Sequence, residues 1–209
     1  MTLSFLDRLR PRHVAPSPIV FDGLAQVRAY WEGLRSRGRL PGRAALDPRG
    51  LSGMLDRVFL AERIGQGLAQ IRVAGSGLAD FAGADLRGLP LSCLFAADSR
   101  PMLAHSLERV FAEPALAEID LGSDRSKQGQ LLARLLLLPL ADEGDGKTLL
   151  GALSFAPDAR AQCKFQILAR REERMAPVVV EPLTPAFAPE EQPRAILRRG
   201  HLSLVHFND

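Results

Sequence analysis

The stretch QIRVAGSGLADFAGADLRG, residues 70–88, decides between two folds for this chain. It begins with the alternation of a β-strand, in which Ile71 and Val73 face one way and Gln70 and Arg72 the other. A Gly-Ser-Gly step follows, and the residues after it have the apolar spacing of a helix. This order begins the phosphate-binding loop of a parallel βαβ fold, and it also begins the helical part of an antiparallel α+β domain.

The glycine loop departs from the phosphate-binding pattern at its last position. The motif Gly-x-Gly-x-x-Gly uses its third glycine for close packing of helix on strand. Asp80 stands there in this chain, and its carboxylate would repel a pyrophosphate. The sequence therefore predicts that Gly75 and Gly77 let the chain leave the strand, while Leu78 and Phe81 pack beneath helices.

The segments before the loop predict a β-hairpin. RVFLAER (residues 57–63) and LAQIRVAG (residues 68–75) both alternate, and the IGQG between them supplies a glycine-bearing turn. Because the strands next to the loop are then antiparallel, the parallel context of a nucleotide loop is missing.

An amphipathic helix is predicted over residues 23–37. Leu24, Val27, Trp31 and Leu34 are spaced three, four and three residues apart, which places them on one stripe. A stripe that carries the only tryptophan has to be covered, either by the chain's own sheet or by a second copy of the chain.

A second helix and three strands are predicted after the glycine loop. The helix lies within residues 98–114, where the apolar residues recur with helical spacing before a proline. The strands are ALAEIDLGS (residues 115–123), GQLLARLLLLPLAD (residues 129–142) and KTLLGALSFAP (residues 147–157).

The middle one of these strands is apolar on both faces. Leu135 and Leu137 point to one side of the sheet, and Leu136 and Leu138 to the other. Both faces of the sheet are therefore expected to be covered at this strand.

The predicted fold is α+β, with five antiparallel strands in one sheet. Short helices cover one face, and the helix of residues 23–37 covers the other. The domain is expected to span residues 23–156, after an N-terminal arm of residues 1–22. Residues 157–209 are expected to form a partly flexible C-terminal extension, because PLTPAFAPEEQP within it has the proline density of a linker.

Four short motifs give residues 23–156 a resemblance to a known family. The motifs are YWEGLR (residues 30–35), PGRAALDP (residues 41–48), RVAGS (residues 72–76) and FAGADLRG (residues 81–88). With these motifs the chain resembles PAS sensor domains, and more specifically a bacterial single-PAS family found largely in alphaproteobacteria. Ser76 stands where that family has threonine, which is a mild departure.

The resemblance implies a sensory or signalling module that binds a small molecule, a protein partner or both, and transmits through a homodimer interface. A ligand-free interaction adaptor is the alternative. The dimer or cap surface is expected on the stripe Leu24, Val27, Trp31 and Leu34. The candidate pocket lining is Arg72, Phe81, Leu86, Phe95, Leu103, Leu107, Leu136 and Phe155.

Arg72 has two interpretations, because a charged residue in an apolar strand needs a partner. It could face a ligand anion, or it could pair with a carboxylate such as Glu62 or Asp120. Arg134 lies in an apolar strand in the same way.

The cofactor remains unknown, and two candidate residues argue against haem and flavin. His105 falls about 200° around the helix from Leu103, away from the apolar face where a haem ligand should point. Cys93 lies in PLSCLF, which lacks the asparagine and arginine of flavin-binding PAS sensors, so it is interpreted as a small buried hydrophobe.

Composition and motifs narrow the function classes. No catalytic or metal-binding motif is recognisable, so an enzyme is not expected. The longest apolar run is too short for a bilayer, and the two cysteines suggest no disulfide framework, which together predict a cytoplasmic protein. The net charge is +3, but the basic residues are dispersed. A nucleic-acid-associated regulator using Arg194–Arg199 is therefore only an alternative.

Overall fold

A computed structural model describes residues 21–113, 115–124, 130–141, 147–157, 159 and 163–175. Residues 1–20 of the expected N-terminal arm, residues 142–146 and the basic segment Arg194–Arg199 lie outside the described residues. In chain order the elements are α1 (Leu24–Leu34), β1 (Val58–Gly65), β2 (Leu68–Ala74), α2 (Ser76–Ala82), α3 (Arg100–Ala112), β3 (Ala115–Ser123), β4 (Ala133–Pro139), β5 (Thr148–Phe155) and β6 (Phe165–Arg174).

The strands form one antiparallel sheet in the order β2-β1-β5-β4-β3-β6. The predicted α+β class is confirmed, and the sheet of the described residues has six strands where five were predicted. The sixth strand pairs with β3 from Ala115↔Arg174 to Ser123↔Phe165. Its burial explains its place, because Phe165 and Ile167 are buried on the helix side of the sheet and complete the core there.

The sheet separates two hydrophobic clusters. The helix-side cluster lies between the sheet and the segments around α2 and α3, and it includes Phe59, Ile71 and Phe165. The α1-side cluster lies between the sheet and α1, and it includes Trp31 and Met54. Helix α1 thus covers one face of the sheet, and the segments around α2 and α3 cover the other, as the sequence predicts.

Strand β4 confirms the predicted coverage of both faces. Leu135 and Leu137 belong to the helix-side cluster, and Leu136 and Leu138 belong to the α1-side cluster. All four are at most 1 % exposed. The backbone of β4 therefore carries side chains of both clusters.

The prediction that Ile71 and Val73 share a face of β2 is wrong. Ile71 is 1 % exposed, whereas Val73 is 48 % exposed. The register with β1 shifts between Leu60↔Val73 and Ala61↔Ile71, so Arg72 is an extra residue on β2. A bulge of this kind breaks the alternation, and a sequence pattern does not show it.

Helix α1 ends at Leu34, three residues before the predicted end. The chain then makes a tight turn in which Arg39 N–H donates to Ser36 O at 2.9 Å. Arg37 and Gly38 at the centre of this turn both have positive φ, 49° and 72°. A turn with two left-handed residues cannot continue a helix. No helix of the described residues is long and apolar enough to cross a bilayer.

Candidate functional site

Phenylalanine rings fill the space between the sheet and the helices. Phe81 of α2 stacks on Phe155 at the end of β5, with ring centroids 4.5 Å apart. Phe81 also stacks on Phe165 of β6, with ring centroids 5.2 Å apart. Phe95 lies tilted against Phe165 at 5.8 Å. Because rings at these separations attract one another in addition to their burial, this stack ties α2, β5 and β6 together.

Six of the eight predicted pocket residues lie together in or against the helix-side cluster. They come from three separate parts of the chain, and the fold brings them to one side of the sheet. The pocket itself stays a prediction, because the same residue types also make a solid core. The six are Phe81, Leu86, Phe95, Leu103, Leu107 and Phe155.

Leu136 does not belong with them. It is buried in the α1-side cluster, on the face of the sheet that carries Trp31. The reason is strand geometry, since its neighbours Leu135 and Leu137 occupy the helix side.

Arg72 does not point into the helix-side cluster either. Its Nε donates to Glu62 Oε2 at 2.6 Å, and its side chain is 40 % exposed. Of the two sequence interpretations of Arg72, this contact is the ion pair, and its partner is Glu62. Arg134 is paired in the same manner, with Nε donating to Asp120 Oδ1 at 2.6 Å.

The predicted pocket lining leaves out three aromatic members of the helix-side cluster, Phe59, Phe111 and Phe165, of which Phe59 and Phe165 are each 1 % exposed. Phe59 needs Gly151 on the neighbouring strand, because a Cβ at that position would overlap the phenyl ring. The signal for Phe165 was its alternation with Ile167, which marked a buried strand face.

The glycine loop packs against the chain itself. A Cβ on Gly75 would overlap the backbone of Leu55 and Asp56, and a Cβ on Gly77 would lie 3.0 Å from Asp56 Oδ2. Gly75 has an ordinary φ of −66°, so close approach and not conformational freedom requires glycine there. The Asp56 carboxylate lies beside the start of α2, where a nucleotide loop would receive a phosphate. The loop is therefore a packing contact.

The fold has an antiparallel sheet, helices inserted after its second strand, and cover on both faces. A comparison of the sequence with models of known families agrees with this fold. A family model described as a PAS domain matches residues 21–154, more than half of the chain. The chain belongs to the PAS domain family. PAS domains are in general sensory and signalling modules, which is the class predicted from the sequence motifs. No curated protein shows detectable sequence similarity to this one.

In this PAS domain α1 covers the domain's own sheet. Leu24, Val27 and Trp31 are buried in the α1-side cluster, whereas Leu34 is only half-buried and lies outside it. Trp31 Nε1–H donates to Pro139 O at 2.9 Å, so the indole is fixed to the end of β4. The guanidinium of Arg35 lies 5.5 Å from the centroid of the same ring.

His105 and Cys93 occupy different environments. His105 is exposed on α3, on the side away from Leu103, as the helical spacing predicts. Cys93 is half-buried against the helix-side cluster, and this burial raises the pKa of its thiol. Among the described residues, no three His, Cys, Asp or Glu side chains are grouped so that they could hold a metal ion.

A carboxylate joins the β1–β2 hairpin of the PAS domain to α3. Glu108 Oε1 accepts from Gly67 N–H at 2.6 Å, and Arg63 Nη2 donates to Glu108 Oε2 at 2.9 Å. The Gly67 hydrogen bond, with Arg63 beside it, holds the pKa of the Glu108 carboxyl below its usual value. The ionised form of Glu108 is therefore part of the folded state.

Replacing this carboxylate tests its contribution. Glu108→Gln is expected to lower the free energy of unfolding by about 1–3 kcal/mol at neutral pH, because charge-assisted hydrogen bonds are lost. Since folding lowers the pKa, the wild type keeps this contribution above the unfolded value of about 4.5 and loses it as the pH falls through the folded value. Urea unfolding between neutral pH and about pH 3 measures both effects.

The matched control is Glu62→Gln, which removes the partner of the exposed Arg72. Its expected cost is below about 1 kcal/mol. Equal pH profiles for the wild type and Glu108→Gln would contradict the assignment of a stabilising role to the ionised Glu108.

Two open depressions lie on the surface of the described structure. One, of about 340 Å³, lies between α3 and β6 and is lined by Met102, Leu168 and Arg170 among others. The other, of about 150 Å³, lies near the C-terminal end of α3, where Phe111 and Lys147 line it. Neither is lined by any of the eight predicted pocket residues.

Proposed function

We propose that this PAS domain is a non-catalytic signalling module that works through protein contacts while its interior is packed by its own side chains. The observation that supports this most directly is the position of Phe81 between the rings of Phe155 and Phe165. Rings at stacking distance occupy the region where the sequence analysis expected a small molecule. A change of packing, rather than occupation of a preformed cavity, is then the event that is passed on.

Strand β4 offers a route for this change. Its side chains alternate between the two clusters, so a shift on the helix side moves the backbone that also supports α1. Pro139, at the end of β4, accepts the hydrogen bond of Trp31. Movement of β4 would therefore reposition α1 and the turn that follows it, which changes the surface offered to a partner.

The finer parts of the sequence interpretation belong to this proposal. They are membership in a bacterial single-PAS family, a cytoplasmic location, and a homodimer. Because Leu24, Val27 and Trp31 are buried on the chain's own sheet, a homodimer would have to exchange α1 between copies or use another surface. The nucleic-acid alternative depends on Arg194–Arg199, outside the described residues.

Native mass spectrometry of freshly purified protein tests the packed interior and the oligomeric state together. We expect masses that correspond to the polypeptide alone, in dimers. Phe81→Ala, which opens space in the ring stack, is expected to take up a small aromatic probe such as benzene, as apolar cavities do. A retained small molecule on the wild type would replace the proposal with the ligand-sensor alternative, and a monomer would remove the homodimer.

A further inference from the structure

Most arginines in the described part of the PAS domain are neutralised by the chain itself. Twelve of them lie within 4 Å of a carboxylate, and Arg100 donates to the Phe95 carbonyl. The pairs are distributed over both faces and both edges of the sheet. The twelve are Arg28, Arg35, Arg49, Arg57, Arg63, Arg72, Arg87, Arg109, Arg134, Arg170, Arg171 and Arg174.

Three described arginines have no such partner, and they lie close together in the sequence. Arg37, Arg39 and Arg43 are all exposed in the loop that follows α1, and none has a carboxylate within ion-pair distance in the described structure. We call residues 37–43, which carry all three, the arginine loop. Its charge is not used by the fold, in contrast to that of the paired arginines.

The loop is held in place by its apolar residues. Pro41 is buried, Leu40 packs against the α1-side cluster, and Ala141 N–H donates to Pro41 O at 2.9 Å. Upstream, Arg35 lies over the Trp31 ring. The three guanidinium groups therefore extend from a backbone that is fixed to the sheet.

The backbone conformation of Arg37 also indicates that its side chain serves a purpose outside the fold. Arg37 is at the tip of its turn with φ of 49°, and it is the one non-glycine residue with positive φ in the described chain. Glycine, asparagine and aspartate adopt this conformation more readily than arginine does. The turn itself gives no reason for an arginine at its tip, so a contact made by its side chain is the better explanation.

We propose that the arginine loop is a docking surface for an acidic segment of a partner protein. Guanidinium groups suit carboxylates because they donate in a planar fork. Arg37, Arg39 and Arg43 line neither of the two surface depressions described above, so they do not form a concave site of the kind that encloses a small anion. The loop carries no aromatic residue on which a nucleic-acid base could stack, and its apolar residues point inward rather than toward a lipid surface. An acidic protein surface remains as the occupant.

This inference rests on the proposed function in taking protein contact as the output of the module. It also explains how the signal would leave the domain, since the loop directly follows α1 and the Trp31 contact. Docking through exposed charges predicts fast, salt-sensitive association.

Fluorescence anisotropy with a labelled oligoglutamate peptide tests the docking surface. The test variant carries Arg37→Gln, Arg39→Gln and Arg43→Gln. The control carries the same charge change at three internally paired surface positions, as Arg57→Gln, Arg87→Gln and Arg174→Gln. We expect the test variant to weaken peptide binding about tenfold or more, with less than about a twofold change for the control.

Three further measurements separate the alternatives. Binding of the wild type to the peptide should weaken as salt is added. Equal peptide affinity for the test variant and the wild type would overturn the proposal. Tighter, loop-dependent binding of an oligodeoxythymidylate or of phosphatidylserine vesicles would also overturn it, in favour of a nucleic acid or a membrane. A melting temperature of the test variant well below that of the wild type would assign the arginines to the fold instead.

These outcomes are independent of the test of the packed interior. A small molecule retained on the wild type would end the ligand-free account while leaving peptide binding by the arginine loop intact. Loss of loop-dependent binding with an empty, packed interior would end the docking proposal alone.

Discussion

Trp31→Ala lowers the free energy of unfolding by about 3–5 kcal/mol, the largest side-chain effect that we expect in this PAS domain. The indole is fully buried in the α1-side cluster, so its removal leaves a cavity between α1 and the sheet. It also leaves Pro139 O without the Nε1–H donor that now lies at 2.9 Å. Equilibrium urea denaturation measures the loss.

Two further variants keep this prediction testable if the alanine variant does not fold. Trp31→Phe retains most of the ring but not the donor, and we expect it to cost about 1–3 kcal/mol. Leu34→Ala truncates the half-buried member of the same sequence stripe, and we expect less than about 1 kcal/mol. If Leu34→Ala were as costly as Trp31→Phe, the described packing of α1 would be wrong.

Gly75→Ala is the second large effect, with an expected loss of about 3 kcal/mol or more. The added methyl group would overlap the backbone of Leu55 and Asp56, and backbone cannot move aside as a flexible side chain can. Either β1 must shift at its start or α2 must leave the sheet. Thermal and urea unfolding measure the loss.

Gly33→Ala is the matched control, because the space around that position is open. Gly33 lies inside α1, where alanine is the better helix former, so we expect a gain of about 0.5–1 kcal/mol. A neutral Gly75→Ala would show that the glycine loop does not pack on Asp56, and would reopen its interpretation as a ligand loop.

Much of the fold could be predicted because periodicity reports burial directly. The alternation of β4 put Leu135 and Leu136 on opposite faces, and the structure places them in different clusters. The spacing in α1 likewise identified Trp31 as covered. The hairpin and the long internal helix followed from the same kind of signal, strengthened by turn residues and prolines.

The candidate site was less predictable, and the errors have separate causes. The pocket prediction for Leu136 disregards the alternation of β4, which places this residue on the opposite face of the sheet. A ligand contact is one sequence interpretation of Arg72, but a register shift and the nearby Glu62 determine its orientation. The predicted lining does not include Phe165, because local alternation does not show which strand its segment pairs with. Strand neighbours that are distant in sequence are decided by pairing, not by propensity.

The sequence by itself determined the α+β class, the family, the two-faced strand β4 and the buried side of α1, because each depends on residues close together along the chain. Only the tertiary structure decided that β6 joins β3, that Phe81 stacks between Phe155 and Phe165, and that Arg37, Arg39 and Arg43 remain unpaired while the other described arginines find partners. These contacts join segments that are distant in the sequence, so local patterns do not predict them. Their free energy comes from burial and charge pairing across the folded chain.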